Sequence, residues 1–333
     1  MKPGKLSSAQ LEDTVLKPLQ NASSKRHEIL LRPKTGEDCS VVDMGEELML
    51  ISSDPITGTS FDIGYLAVHV NCNDIAAGGG EPIGIMLTVL LPIQSEISDI
   101  EKIVNGAAKA AEELGIEIIG GHTEVSDAVN RAVVSGTVIG KTINRKYIEA
   151  GGAKHGDYLI MTKWAALEGT AILAREYKDL LAGNIDSRIL ESSMELDKYI
   201  SVVAEGKIAA VLGASALHDA TEGGILGAAW EMARAAEIGV EVYIDEIPMK
   251  LETSVICHFL GIDPYRLISS GAMLIAISEP EELIANLTNQ GIKCTIIGRF
   301  TKSEMSIIDQ GIKRKLTPPD SDELYKVKRM EEI

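Results

Sequence analysis

A chain of 333 residues that is 45% hydrophobic is too apolar to stay disordered and too long for one ordinary core, so two domains are expected. Its formal net charge of -17 repels polyanions and excludes a nucleic-acid track, while leaving room for anions that divalent cations bridge to carboxylates. With three Phe and two Trp, the core must be built from Ile, Leu, Val, Ala and Met, as where helices cover a sheet, and the expected class is α+β with mixed layers.

Near the N-terminus there is no apolar core of the signal-peptide kind, and no later apolar run reaches membrane-spanning length. Residues 40–43 and 48–52 read as a hairpin closed by Met44-Gly45-Glu46. Asp62 is placed to cap a helix over 63–77, which Gly78-Gly79-Gly80 and Pro82 stop, and 84–91 reads as a strand. A second helix opens at Ser98, carries Ile103, Ala107, Ala110, Ala111 and Leu114 on one face, and ends at Gly115. Strands are expected at 117–120 and 131–141. The glycine-rich stretch 150–157 marks the domain boundary, giving domains 1–149 and 150–333. Beyond it, 158–161 reads as a strand, then helices near 201–212, 223–237, 251–260 and 280–290 mix with strands near 240–244, 272–277 and 294–297. Cys39, Cys72, Cys257 and Cys294 form no CxxC pair and have no histidine at zinc spacing, so they read as reduced thiols of a soluble cytoplasmic protein.

Five polar motifs interrupt this pattern. Gly36-Glu37-Asp38 precedes a strand and can present a carboxylate to a hard cation, although a surface turn has the same composition. Ser52-Ser53-Asp54-Pro55 stands at a strand end, where Asp-Pro is also an ordinary turn signal. Asn71, Asn73 and Asp74 fall inside an otherwise apolar helix, where burial without a partner is costly, so Asp74 is the strongest candidate of the set. Gly120-Gly121-His122-Thr123-Glu124 lets backbone approach a ligand, and Asp219 to Gly224 opens an amphipathic helix at which Thr221 and Glu222 serve either as caps or as site residues. There is no Walker A loop, GxGxxG, GxSxG or HExxH, which leaves a dispersed set of carboxylates.

Taken in order, GEDCSVVD, SSDP, NCNDIAAGGGEP, GGHTEV, GDYLIMTK and HDATEGGILGAAWEMA resemble the aminoimidazole-ribonucleotide-synthetase-like (PurM-like) superfamily over nearly the whole chain. Within it, Gly4-Lys5-Leu6, GEDCSVV and NDIAAGGGEP are most similar to the HypE-type hydrogenase-maturation branch. The resemblance implies a two-domain fold with an N-terminal domain for ATP binding and dimerisation, and a homodimer in which the N-terminal sheets combine into a barrel. It implies ATP and Mg²⁺ as cofactors, with Asp38, Asp54 and Asp74 as metal ligands. Gly36, Asn73, Gly120, Gly121, His122, Thr123 and Glu124 would lie along the nucleotide, and Asp219 and Glu222 would be catalytic. The implied reaction is phosphoryl transfer to an oxygen of a small acceptor, with a maturation partner protein as another possible client. Thiamine-monophosphate-kinase-like activity, or ATP binding without turnover, stand as alternatives.

Three positions depart from the pattern. His122 stands where an acidic residue is usual, Glu222 stands where the HypE branch has arginine, and the chain ends Met330-Glu331-Glu332-Ile333 without the cysteine that carries the carbamoyl group in that branch.

Overall fold

The computed structural model describes residues 4–21, 25–57, 59, 61–319 and 321–330. Six strands form the first sheet: β1 Ile29–Leu31, β2 Ser40–Asp43, β3 Leu48–Ile56, β4 Gly80–Leu91, β5 Glu117–Val125 and β6 Val133–Thr142. Their order is β1-β2-β3-β6-β4-β5, antiparallel throughout except for the parallel pair β4 and β5 at one edge. Seven strands form the second: β7 Tyr158–Thr162, β8 Ala216–Asp219, β9 Gly239–Tyr243, β10 Met273–Ile277, β11 Cys294–Thr301, β12 Met305–Asp309 and β13 Ile312–Lys315. Here the order is β13-β12-β9-β11-β7-β10-β8, so β8 is an edge strand.

The helix Ile63–Ala77 links the two sheets. It packs on β3 and β6 of the first sheet while also touching β8 and the helix Val203–Val211. A helix with neighbours on every side is buried all round, and along this one every residue except Tyr65 is buried, including His69, Asn71, Asn73 and Asp74. The contacts are close enough to require glycine: a Cβ on Gly206 would lie 2.4 Å from the Ala76 carbonyl oxygen, and one on Gly64 would lie 1.9 Å from that of Ile103. The helix Ile97–Leu114 crosses at Gly64 and buries the stripe Ile103, Ala107, Ala110 and Ala111.

Several boundaries differ from the sequence expectation, each for a local reason. The third strand runs on to Ile56 instead of stopping at Ser52, so Asp54 and Pro55 lie within it. Pro55 is tolerated because β2 pairs only with Leu48–Ile51, leaving that edge of β3 without a partner further on. Asp62 precedes its helix in a left-handed conformation (φ 47°) and makes no capping bond, its carboxylate lying 3.7 Å from Arg175. The second helix starts at Ile97, one residue before Ser98, because Glu96 and Asp99 form a capping box. The GGHTEV motif is part of β5 and not a turn after it. Four-residue β8 and the helices Leu167–Glu176, Lys178–Ala182 and Ser187–Ser193 had no distinct signal in the sequence.

Candidate functional site

Asp38 and Asp219 bring carboxylate oxygens within 4.8 Å of each other, and Asp54 and Asp74 lie near enough to act on them electrostatically. Asp38 follows the turn at Gly36, whose φ of +82° and closeness to the Glu231 carbonyl (3.3 Å from a Cβ placed there) let the loop press on the helix Gly224–Ala235. Asp54 projects from β3, with its backbone N–H donating to Asn71 Oδ1 at 2.9 Å. Asp74 comes from the central helix and accepts from Ser52 Oγ at 2.5 Å. Asp219 ends β8; its residue is 1% exposed, and neither carboxylate oxygen has a hydrogen-bond partner.

Burial first, and then the neighbouring carboxylates, raise the pKa values of Asp54, Asp74 and Asp219. Desolvation is the largest cause at Asp74, followed by Asp219, Asp54 and Asp38, and together they push it well above the usual carboxylate range despite the Ser52 bond. Asp219 is pushed up to about 7, by burial first and then by Asp38, with His218 and Lys5 pulling the other way. Asp54 keeps an exposed side chain at the mouth, yet crowding shifts it in the same direction, desolvation first, against the opposing pull of Lys5.

Cationic side chains answer part of this charge. His218 donates from Nδ1 to Asp38 Oδ2 at 2.7 Å and from Nε2 to Glu231 Oε2 at 3.0 Å. Burial alone would lower its pKa, but those two acceptors override it and hold the ring as an imidazolium well above its ordinary range. Burial would likewise raise Glu231, and the His218 hydrogen bond with Lys5 keeps it low. Lys5 crosses the mouth: its backbone N–H donates to Glu222 Oε2 at 2.7 Å and its Nζ to Thr221 Oγ1 at 3.1 Å. Desolvation works against its charge, and Glu231, Asp38, Asp54 and Glu222 raise its pKa regardless.

Asp38, His218 and Asp219 offer ligand atoms within 4.8 Å of one another, and the unpartnered oxygens of Asp219 complete a hard-cation donor set. A doubly hydrogen-bonded imidazolium has no lone pair to give, so the oxygens of the aspartates are the ligands this arrangement supplies. Beside these groups lies a cleft of about 300 Å³ lined by Lys5, Gly36, Asp38, His218 and Glu231.

Other sequence candidates lie elsewhere. Asn73 uses both ends of its amide on the chain of the second sheet, Nδ2 donating to the Ile200 carbonyl and Oδ1 accepting from Val202 N, each at 2.9 Å. Its geometry is that of a joint. Asn73→Ala is accordingly expected to cost about 2–4 kcal/mol of stability, read by urea unfolding, since two buried partners lose their bonds; unchanged stability would contradict the joint. Gly120, Gly121, His122, Thr123 and Glu124 lie along β5, with His122 Nε2 2.9 Å from Glu124 Oε2. Three strand spacings separate β5 from β3, about 14 Å at the usual interval. Glu222 faces Lys5 and Tyr325, whose hydroxyl donates to Oε1 at 3.1 Å.

His218, Glu231 and Lys5 were not singled out as site residues from the sequence. His218 adjoins Asp219 in the motif, and Glu231 sits one helical turn after Gly227 and Ala228, so a carboxylate on a small-residue face was the available signal. Lys5 stands in the Gly4-Lys5-Leu6 segment of the resemblance, but nothing there places it beside Glu222, 217 residues away in sequence.

Residues 36–142 match the family model for the AIR synthase related protein N-terminal domain, and residues 154–310 match that for its C-terminal domain. A hydrogenase expression/formation protein of Methanocaldococcus jannaschii is 29% identical, with 97% of each chain covered. The carbamoyl dehydratase HypE of Rhizobium leguminosarum bv. viciae is 27% identical over 74% of this chain and 71% of its own. Among solved structures, the hydrogenase maturation protein HypE in complex with ATP has the same fold, with a TM-score of 0.70 at 20% identity and 97% of each chain covered.

Proposed function

Because this chain belongs to the AIR synthase related protein family, we propose that it is an ATP- and Mg²⁺-dependent phosphoryl-transfer enzyme that activates an oxygen of a small acceptor. The supporting observation is that Asp38 and Asp219 lie within reach of one cation, with Asp54 and Asp74 beside them and both Asp219 oxygens unpartnered. Magnesium bound there supplies charge neutralisation for a triphosphate and for the transferring phosphoryl group. The aspartates hold the cation, His218 and Glu231 fix the orientation of Asp38, and the Lys5 ammonium covers the mouth. Gly120, Gly121, His122, Thr123 and Glu124 on β5 line the nucleoside end, on the same sheet as Asp54 and a nucleotide's reach away. Glu222, beyond Lys5, faces the acceptor side.

Calorimetric titration with ATP tests this reading: binding with Mg²⁺ present and its loss in EDTA are expected. No binding, or binding indifferent to EDTA, would overturn it.

The same reading makes the chain a homodimer. β5 is an exposed edge, and Met86, Ile118, Ile119 and Val125 are exposed apolar side chains on β4 and β5. Sedimentation equilibrium should give twice the chain mass, and Ile119→Asp should return it to the monomer; a wild-type monomer would refute the pairing. No helix among the described residues is long and apolar enough to cross a membrane, and the four free thiols suit the reducing cytoplasm in which we place the protein.

A further inference from the structure

Behind the aspartate cluster lies a second cavity of about 80 Å³, walled by Val70 of the central helix, Ile172 of Leu167–Glu176 and Leu324 of the C-terminal helix Leu324–Met330. It is far smaller than the neighbouring cleft of about 300 Å³ and suits a small head group. Glu168 and Ser270 lie in its lining. Glu168 is 4% exposed and Ser270 fully buried, and neither Glu168 Oε2 nor Ser270 Oγ has a hydrogen-bond partner. A carboxylate oxygen buried in this state is costly unless a donor reaches it; Ser270 lies close enough to act on it without completing a hydrogen bond, which leaves Oε2 able to accept from a ligand.

The charge of the walls defines that donor. Asp54, Glu168, Glu222 and Asp322 all line the cavity, and among its described lining residues Lys5 is the one cation, already engaged by Glu222 and Thr221 at the mouth. An anion would meet four carboxylates. An ammonium already sits at the entrance, which shows the polarity that the walls accept.

We propose that this cavity is the acceptor pocket and that it binds a compact protonated nitrogen group, an alkylammonium or amidinium on a small apolar body, against Glu168 and Ser270. Only the word acceptor rests on the phosphoryl-transfer reading; the binding site stands without it. Burial raises the Glu168 carboxyl to about 7, Ser270 offsetting part of the effect and Asp322 and Glu222 adding to it, and a bound cation would restore its charge. The apolar walls suit the body that carries the head group.

Ligand-observed saturation-transfer NMR on the full chain tests the pocket with methylguanidinium and propylammonium as probes, and with propanamide and propionate as neutral and anionic counterparts. The cations should bind the wild type, and propanamide and propionate should not. Glu168→Gln should weaken the cations at least tenfold, and Ser270→Ala by a smaller factor. Both variants should unfold cooperatively and bind Mg-ATP as the wild type does. Equal binding of the neutral probe, unchanged cation binding by Glu168→Gln, or no cation binding by a wild type that binds Mg-ATP would each overturn the proposal. Cation binding by a wild type that does not bind Mg-ATP would instead uphold the pocket and remove the phosphoryl-transfer reading.

Discussion

Replacing Asp219 with asparagine is expected to make the metal-free protein more stable at pH 8, by about 2 kcal/mol, while abolishing its response to divalent cations. The carboxyl titrates at about 7 in the fold against an ordinary value of 3.8. Raising the carboxyl that far corresponds to roughly 4 kcal/mol against its charged form, of which a buried amide without partners returns about 1–3. The sign follows from proton binding. Between pH 4 and 7 the folded state holds a proton that the unfolded state has released, so the wild type loses stability as pH rises through that window. The variant lacks the contribution of this carboxyl, and the difference between the two should open from pH 4 to 7 and stay level above it. Magnesium reverses the order: at a hundredfold excess over Kd the wild type gains about 2.7 kcal/mol and the variant nothing. Urea unfolding at pH 5 and 8, with EDTA and then with Mg²⁺, reads all four values. A variant less stable than the wild type at pH 8 in EDTA would show that Asp219 is held by partners within the chain.

At the far end of the proposed nucleotide path, Gly121→Ala is expected to cost about 3 kcal/mol or more, whereas Gly120→Ala should cost about 1–2. Both glycines have φ near +150°, a region in which a side chain is strained. Only Gly121 is also against backbone: its Cβ would lie 1.9 Å from the Leu87 carbonyl oxygen, in the residue paired with it across β4 and β5. Main chain inside a sheet has no rotamer by which to yield. The nearest atom to a Cβ on Gly120 is Met86 Cε at 3.9 Å, which leaves backbone strain alone. Thermal unfolding of the two variants separates these cases, and equal losses would mean that β5 shifts away from β4 to accommodate the methyl group. The paired glycines, which in sequence suggested close approach to a ligand, thus divide: one serves strand packing and the other leaves its space open.

Much of this architecture was legible in the chain. The helix Ile63–Ala77 starts and stops at the expected residues; the glycine cluster after it is a local stop signal, whereas Asp62 before it makes no capping bond. The polar residues inside it stood out in the sequence, and Asp74 lies buried there with Asp219, Asp54 and Asp38 near it. Asn73 shows the limit of that inference: the same burial cost is met by the backbone of Ile200 and Val202, which only the fold brings near. β8 is four residues long and too short for any periodicity, yet it positions His218 and Asp219. Lys5 and Glu168 line the second cavity through contacts between distant segments, and such contacts leave no local pattern.

A crystal structure with a nonhydrolysable ATP analogue and Mn²⁺, read by anomalous scattering, tests most directly whether the aspartates form one nucleotide-metal site. The expected result is manganese within about 2.5 Å of oxygens of Asp38, Asp54, Asp74 and Asp219, with the nucleoside running towards β5. A bound nucleotide with no metal peak at these four residues would contradict it.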